Sequence, residues 1–124
     1  MSKRILVVED QEDLRGVLRD LLIGSGYTVL EAGDGEAGVA KTNSDRPDLI
    51  LMDIEMPVID GYEAARRIKA DPFLKPIPII AVSSFAIKGD EEKARAAGFD
   101  HYVTKPYSPM QLLRLIRGFF GDKL

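Results

Sequence analysis

The chain contains no cysteine, which removes a disulfide scaffold, a thiolate zinc site and a cysteine nucleophile together. It has one histidine, His101, read as a surface residue rather than a ligand or a base. No apolar run approaches the roughly 20 residues that would span a bilayer. The run nearest the start, Ile5-Leu6-Val7-Val8, is far short of a signal-peptide core, so a cytoplasmic protein is expected. A basic excess is missing too. The formal net charge of −3 offers phosphates no electrostatic footprint and argues against direct nucleic-acid binding. Internal repeats and low-complexity segments are absent.

What is present suits one soluble domain over residues 1–124, with 45% hydrophobic and 30% charged residues. Short apolar runs alternate with amphipathic stretches. Ile5–Val8 precedes Leu14, Val17, Leu18, Leu21 and Leu22, which recur at helical spacing and predict one inward stripe. Gly24-Ser25-Gly26 stops that helix. Thr28–Leu30 is a second short strand, and Gly33-Asp34-Gly35 turns the chain into a small helix with Ala37 and Ala40, up to the Arg46-Pro47-Asp48 break. Leu49–Met52 is the third run, ended by Asp53. Asp60 is placed to cap a helix over Gly61–Ala70 with Tyr62, Ala65 and Ile68 inward. Pro72, Pro76 and Pro78 mark a long connection to the fourth run, Ile79–Val82. An alanine-rich helix follows over about Asp90–Ala97, then a fifth strand, Tyr102–Thr104. Ser108 and Pro109 start a last helix through Leu112, Leu113, Leu115, Ile116 and Phe119.

Continuous apolar strands interleaved with helices predict a parallel sheet covered on both faces, a five-stranded doubly wound α/β fold. In such sheets ligands sit beyond the carboxyl ends of the strands. There the first strand offers Glu9-Asp10, the third Asp53, the fourth Ser83-Ser84 and the fifth Thr104-Lys105-Pro106. Two carboxylates about 4 Å apart repel by roughly 4 kcal/mol at a protein-like effective dielectric. Three gathered together must hold protons or a cation. An all-oxygen set favours a hard ion, and Mg²⁺ pairs naturally with one or two carboxylates and a phosphate. That combination predicts phosphoryl chemistry at Asp53, with Lys105 and the Ser83 hydroxyl available to the remaining phosphoryl oxygens.

Glu9-Asp10, the run Asp53-Ile54-Glu55-Met56-Pro57 closed by Asp60-Gly61, Ser83, and Lys105-Pro106 together resemble the receiver domain of two-component response regulators over essentially the whole chain. The resemblance implies a flavodoxin-like strand order, 2-1-3-4-5. It implies that Asp53 accepts a phosphoryl group from a phosphohistidine on a sensor kinase or phosphotransfer protein. It further implies that Asp10, Asp53 and the Glu55 backbone carbonyl hold Mg²⁺, with Glu9 assisting through water. Ser83 and Tyr102 are the implied switch residues, Lys105 the site lysine, and the Lys105–Pro106 bond is implied to be cis. Such a chain is a signalling module that catalyses its own phosphorylation and dephosphorylation rather than an enzyme acting on a separate substrate. Its readout surface would be the fourth helix, fifth strand and last helix, docking a target protein or a second copy. The stretch from Ser84 to Glu92 also resembles small stand-alone receivers of bacterial cell-cycle phosphorelays. Phe85, two residues after Ser83, is expected to slow loss of the phosphoryl group by shielding it from water.

Two other readings use the same fold. A flavodoxin-like cofactor binder would cradle phosphate in backbone donors near the first strand, where Glu9-Asp10-Gln11-Glu12-Asp13 repels it. An aspartate-nucleophile phosphohydrolase would need a second acid/base aspartate just after the first, and Ile54 and Glu55 do not supply it. Simpler roles compete at single positions: Glu12 and Asp13 as acidic helix-start residues, Tyr102 as ordinary packing, and a helix end packed on the sheet, rather than a partner surface, for at least one of Phe119 and Phe120.

Overall fold

Five parallel strands and five helices alternate strictly in the computed structural model, which describes residues 2–83 and 90–121. The elements are β1 (Arg4–Val8), α1 (Glu12–Gly24), β2 (Thr28–Ala32), α2 (Gly35–Asp45), β3 (Leu49–Asp53), α3 (Gly61–Ala70), β4 (Ile79–Ser83), α4 (Asp90–Ala97), β5 (His101–Thr104) and α5 (Pro109–Phe119). The sheet order is β2-β1-β3-β4-β5 with every neighbouring pair parallel. That is the expected doubly wound α/β fold. Ser84 and Phe85, with the expected shielding by Phe85, lie outside the described residues. Among those described, no helix is long and apolar enough to cross a membrane.

Each face of the sheet carries its own core. Ile5, Val7, Leu49, Leu51 and Ile80 pack against Leu18 and Leu22 of α1 and Leu112, Leu113 and Ile116 of α5. Leu6, Val8, Ile50, Met52, Ile79 and Ala81 meet Ala64, Ala65 and Ile68 of α3 and Ala94 and Ala97 of α4. The odd–even split along β1 is the alternation of side chains across a strand. Removing a side chain of this size from water contributes about 1.5–3 kcal/mol each, so β1, β3 and β4 are apolar except at Arg4, which opens β1, and at Asp53 and Ser83, which end β3 and β4. The helix starts follow the expected chemistry: Asp60 Oδ1 accepts from Glu63 N at 2.9 Å and Ser108 Oγ from Gln111 N at 3.4 Å. Glu12 and Asp13 lie in the first turn of α1, where carboxylates favour the helix dipole.

The structure sets the strand boundaries and turns one helix face. β2 runs on to Ala32, Asp53 and Ser83 are the last residues of their strands, and β5 begins at His101. The predicted inward stripe of α1 is rotated. Leu18 and Leu22 are buried, but Val17 is 63% and Leu14 38% exposed. At about 100° per residue, the buried arc has turned away from Val17 and toward Arg15, whose side chain is only 20% exposed.

Candidate functional site

Sheet register assembles one cluster from four separate stretches of chain. Val8 pairs with Met52, so the next residues, Glu9 and Asp53, emerge side by side. Asp53 pairs with Val82, which puts Ser83 one step further out. Ser83 pairs with Thr104, so Lys105 follows. The ladder continues past the strand ends. Glu9 N donates to Ala32 O at 3.1 Å, Ile54 N to Val82 O at 3.1 Å and Lys105 N to Ser83 O at 2.7 Å. The Lys105–Pro106 peptide is cis. Behind the cluster, α3 starts hard against β3. A Cβ on Gly61 would stand 2.6 Å from the Asp53 carbonyl oxygen, so only glycine permits that approach.

Glu9, Asp10 and Asp53 each bring a carboxylate oxygen to within 4.8 Å of the others. Glu9 and Asp53 are buried while Asp10 is partly exposed, so the cluster opens to solvent on the Asp10 side. Lys105 Nζ lies 3.1 Å from Glu9 Oε1 and 3.5 Å from Asp53 Oδ2. The other oxygens of these carboxylates take backbone donors: Gln11 N reaches Glu9 Oε2 at 3.1 Å, and Glu55 N reaches Asp53 Oδ1 at 3.2 Å. Beside them a cavity of about 460 Å³ is lined by Glu9, Leu14, Leu18, Lys105, Pro106 and Tyr107.

One ammonium cannot neutralise three carboxylates, and the proton affinities record this. Burial, then the charge of Glu9, pushes Asp53 up to about 7. Burial opposes the charge on Glu9 as well, but the Gln11 N–H, a hydrogen bond with Asp53, and Lys105 together hold its pKa below the usual carboxylate value. Asp10 is raised by burial and by Glu9. Burial also works against the Lys105 ammonium, yet Asp53 and Glu9 outweigh it and hold that pKa above the ordinary lysine value. Without an ion, the proton that this cluster takes up as pH falls through about 7 goes to Asp53, against an ionised Glu9 paired with Lys105.

The structure therefore brings together Glu9, Asp10, Asp53, Ser83 and Lys105, all named as candidates from the sequence. Glu55 adjoins them in two ways: its N–H serves Asp53, and its Oε2 accepts from Ser83 Oγ at 2.8 Å. Tyr102 stands apart on β5, half-buried against the layer of α3 and α4. His101 is exposed beside it. Two features were not foreseen. The Ser83–Glu55 bond has no sequence signal beyond Ser83 ending β4 and Glu55 standing two residues after the end of β3. The contacts of Arg15 likewise have no sequence signal beyond a cation one turn inside a helix that begins with acidic residues. Its Nη1 donates to the Glu9 carbonyl oxygen at 2.8 Å and its Nε to Glu31 Oε1 at 3.2 Å.

Comparison with known proteins agrees with this geometry. The family model of the response regulator receiver domain matches residues 5–117. The polar-differentiation response regulator DivK of Brucella anthropi is 40% identical, over 98% of this chain and 99% of its own. Among solved structures, the receiver domain of the sensor histidine kinase PA1611 of Pseudomonas aeruginosa, with a magnesium ion coordinated in its active-site cleft, superposes with a TM-score of 0.91. It is 36% identical, and the match covers 98% of this chain and 100% of that one. The Vibrio cholerae chemotaxis protein CheY4 follows at TM-score 0.90 and 27% identity, covering 96% and 99% of the two chains. The match falls on the receiver and on neither of the two rival readings.

Proposed function

This chain belongs to the response regulator receiver family of two-component signalling, and from that membership we propose that Asp53 is its phosphoacceptor. Receivers take phosphoryl groups from histidine kinases or phosphotransfer proteins. In this reading an Asp53 carboxylate oxygen attacks the phosphorus of a partner's phosphohistidine, a P–O bond forms, the P–N bond breaks, and the imidazole leaves on the partner. Lys105 and Ser83 hold the oxygens of the arriving group. The observation that carries this is the convergence of three carboxylate oxygens within 4.8 Å beside one Lys105 ammonium.

The donor set fits Mg²⁺: every side-chain ligand on offer is a carboxylate oxygen, and neither sulfur nor imidazole is present among them. Asp10 and Asp53, with the Glu55 backbone carbonyl, would hold the ion, and Glu9 would assist through water. When bound, the ion supplies positive charge that favours ionised Asp53 and spreads the charge of the transferred group. The chain's own residues supply the rest. Lys105 stays ionised between Glu9 and Asp53 and places a fixed cation where phosphoryl oxygens arrive. Ser83, which donates to Glu55 at 2.8 Å, gives up that acceptor to reach the phosphoryl group. Its reorientation, with that of Tyr102, carries the signal toward α4, β5 and α5. That face docks a target protein or a second copy of the chain. Phosphorylation and its reversal are catalysed by this same site, with no separate substrate turned over.

The test is exposure of wild type and Asp53→Asn to acetyl phosphate, with Mg²⁺ or with EDTA, read by intact mass. Gain of one phosphoryl group by wild type alone, and only with Mg²⁺, is expected. Equal gain by Asp53→Asn, or gain by wild type in EDTA, would overturn the assignment.

A further inference from the structure

We infer that Arg15 is a positioning residue for the metal-binding loop, fixing the Glu9–Asp10 peptide from behind without touching any of the carboxylates that would hold the ion. The inference rests on the reading of Glu9, Asp10 and Asp53 as the Mg²⁺ site.

The sequence places Arg15 one turn into α1, three residues before the buried Leu18. The rotation of α1 described above turns its side chain inward, where it is 20% exposed. Its partner comes from β2. Glu31 pairs with Val7 in the sheet, so its side chain shares the face of Val7, the face α1 covers. The guanidinium fork spans the two. Nε meets Glu31 Oε1 at 3.2 Å, and Nη1 donates to the Glu9 main-chain oxygen at 2.8 Å. Arg19 Nη1 approaches the same Glu31 oxygen at 3.6 Å, a longer contact that leaves Arg15 as the near partner.

Glu9 is then fixed at every polar atom. Its N–H bonds Ala32, its carboxylate oxygens take Gln11 N and Lys105 Nζ, and its carbonyl takes Arg15. The carbonyl matters most for the neighbouring ligand, because the peptide it belongs to carries Asp10. Freed from Arg15, that peptide can turn and take the Asp10 carboxylate away from Asp53. Arg15 and Lys105 divide the work. Lys105 faces the carboxylates and offsets their charge. Arg15 faces a neutral carbonyl and is itself paired with Glu31, so it fixes the loop without competing for the ligand oxygens. Partners that orient metal ligands without touching the metal commonly contribute 10–100-fold to metal affinity.

Electrostatics and positioning predict opposite signs, which makes the inference testable. Removing a cation near an anionic cluster should tighten Mg²⁺ binding if Arg15 acts only through its charge. Removing a positioning residue should weaken it. Isothermal titration calorimetry of Mg²⁺ binding to wild type, Arg15→Ala, Arg15→Lys, Glu31→Ala and the double alanine variant reads this directly, with urea denaturation in EDTA reporting fold stability. Arg15→Ala is expected to weaken Mg²⁺ binding about 10-fold. Glu31→Ala should weaken it less, and the double variant should be no worse than Arg15→Ala, since both act through one contact. Lysine cannot span both partners with a single ammonium, so Arg15→Lys should recover only part of the loss. Unchanged or tighter binding by a folded Arg15→Ala overturns the inference while leaving the metal site intact. Wild type that takes no Mg²⁺ overturns both. If Arg15→Ala fails to fold, Glu31→Ala decides alone: an affinity equal to wild type overturns the inference.

Discussion

Two lysines, at opposite ends of the same sheet, sit in contrasting surroundings. At the amino ends of β4 and β5, Lys69 Nζ donates to the Lys75 and Ile77 carbonyls at 2.8 and 2.7 Å and to Asp100 Oδ2 at 3.0 Å. Asp100 Oδ2 also accepts from Ile79 N at 2.8 Å. One cation meets one anion there, and the remaining donors find carbonyls. At the carboxyl ends, Lys105 Nζ faces Glu9 and Asp53, with Asp10 in the same cluster. Ion pairs of the first kind close a structure; an excess of like charge of the second kind raises proton affinity and favours a cation. The difference lies in charge balance, since both lysines are well covered, with side chains 16% and 19% exposed.

The comparison is sharpest in its pH dependence. Asp53 ordinarily titrates near 3.8 and is raised to about 7 in the fold. Between those values the native state keeps a proton that the unfolded chain has lost, so stability falls as pH rises through this window. At 1.36 kcal/mol per pH unit, the window from 3.8 to about 7 bounds the effect near 4 kcal/mol. Glu9, held low, and Lys105, held high, gain stability over other ranges and offset part of it. Asp53→Asn removes the titration. In EDTA it is expected to be more stable than wild type by about 3 kcal/mol at pH 8, with the gap closing near pH 4. Urea denaturation across pH checks this, and a gap that does not change with pH would break the contrast. Mg²⁺ should narrow the gap at pH 8 more than at pH 5, because protons compete with the ion for the carboxylates.

At the balanced end, removing a carboxylate should do the reverse. Asp100→Ala leaves Ile79 N and one Lys69 donor without their acceptor, which costs about 2 kcal/mol. Its effect on Mg²⁺ affinity and on phosphoryl gain from acetyl phosphate should stay within twofold, because it touches the other end of the strands. Chemical denaturation and calorimetry separate the two readouts. A large loss of Mg²⁺ affinity here would mean that the ends are coupled through β4 and β5, and that charge balance does not divide them.

The two ends differed in the same way in how far the sequence revealed them. Glu9, Asp10, Asp53, Ser83 and Lys105 could be read in advance because each follows or ends an apolar run of β type, and parallel strands bring such ends to one edge. The strand order, by contrast, rested on family resemblance, since nothing in five short apolar runs distinguishes one neighbour from another. The Lys69–Asp100 clamp joins residues 31 apart in sequence that carry no pattern. The face of α1 was misjudged for a physical reason. Leu14, Val17, Leu18, Leu21 and Leu22 define an apolar arc, but the helix rolled to bring Arg15 onto Glu31 and the Glu9 carbonyl, leaving Val17 to solvent. Periodicity weighs hydrophobic area and cannot see a buried hydrogen-bond acceptor waiting on the sheet.

The smallest expected effect tests whether every anion at the carboxyl end belongs to the unbalanced cluster. Asp60 lies close by in sequence and space, one residue before Gly61, which abuts the Asp53 carbonyl. Its carboxylate is nevertheless committed, since Oδ1 accepts the Glu63 N–H at 2.9 Å and caps α3. Asp60→Ala should therefore behave as an ordinary cap loss of about 1 kcal/mol, with none of the pH-dependent gain expected of Asp53→Asn. Asp34, which caps α2 through the Ala37 N–H at 2.7 Å, supplies the control, and Asp34→Ala should cost about the same. Urea denaturation of both variants in EDTA at pH 4 and pH 8 makes the comparison. If Asp60→Ala instead gains stability at pH 8, the repulsive cluster extends through the loop to α3, and the boundary drawn here around Glu9, Asp10 and Asp53 is too tight.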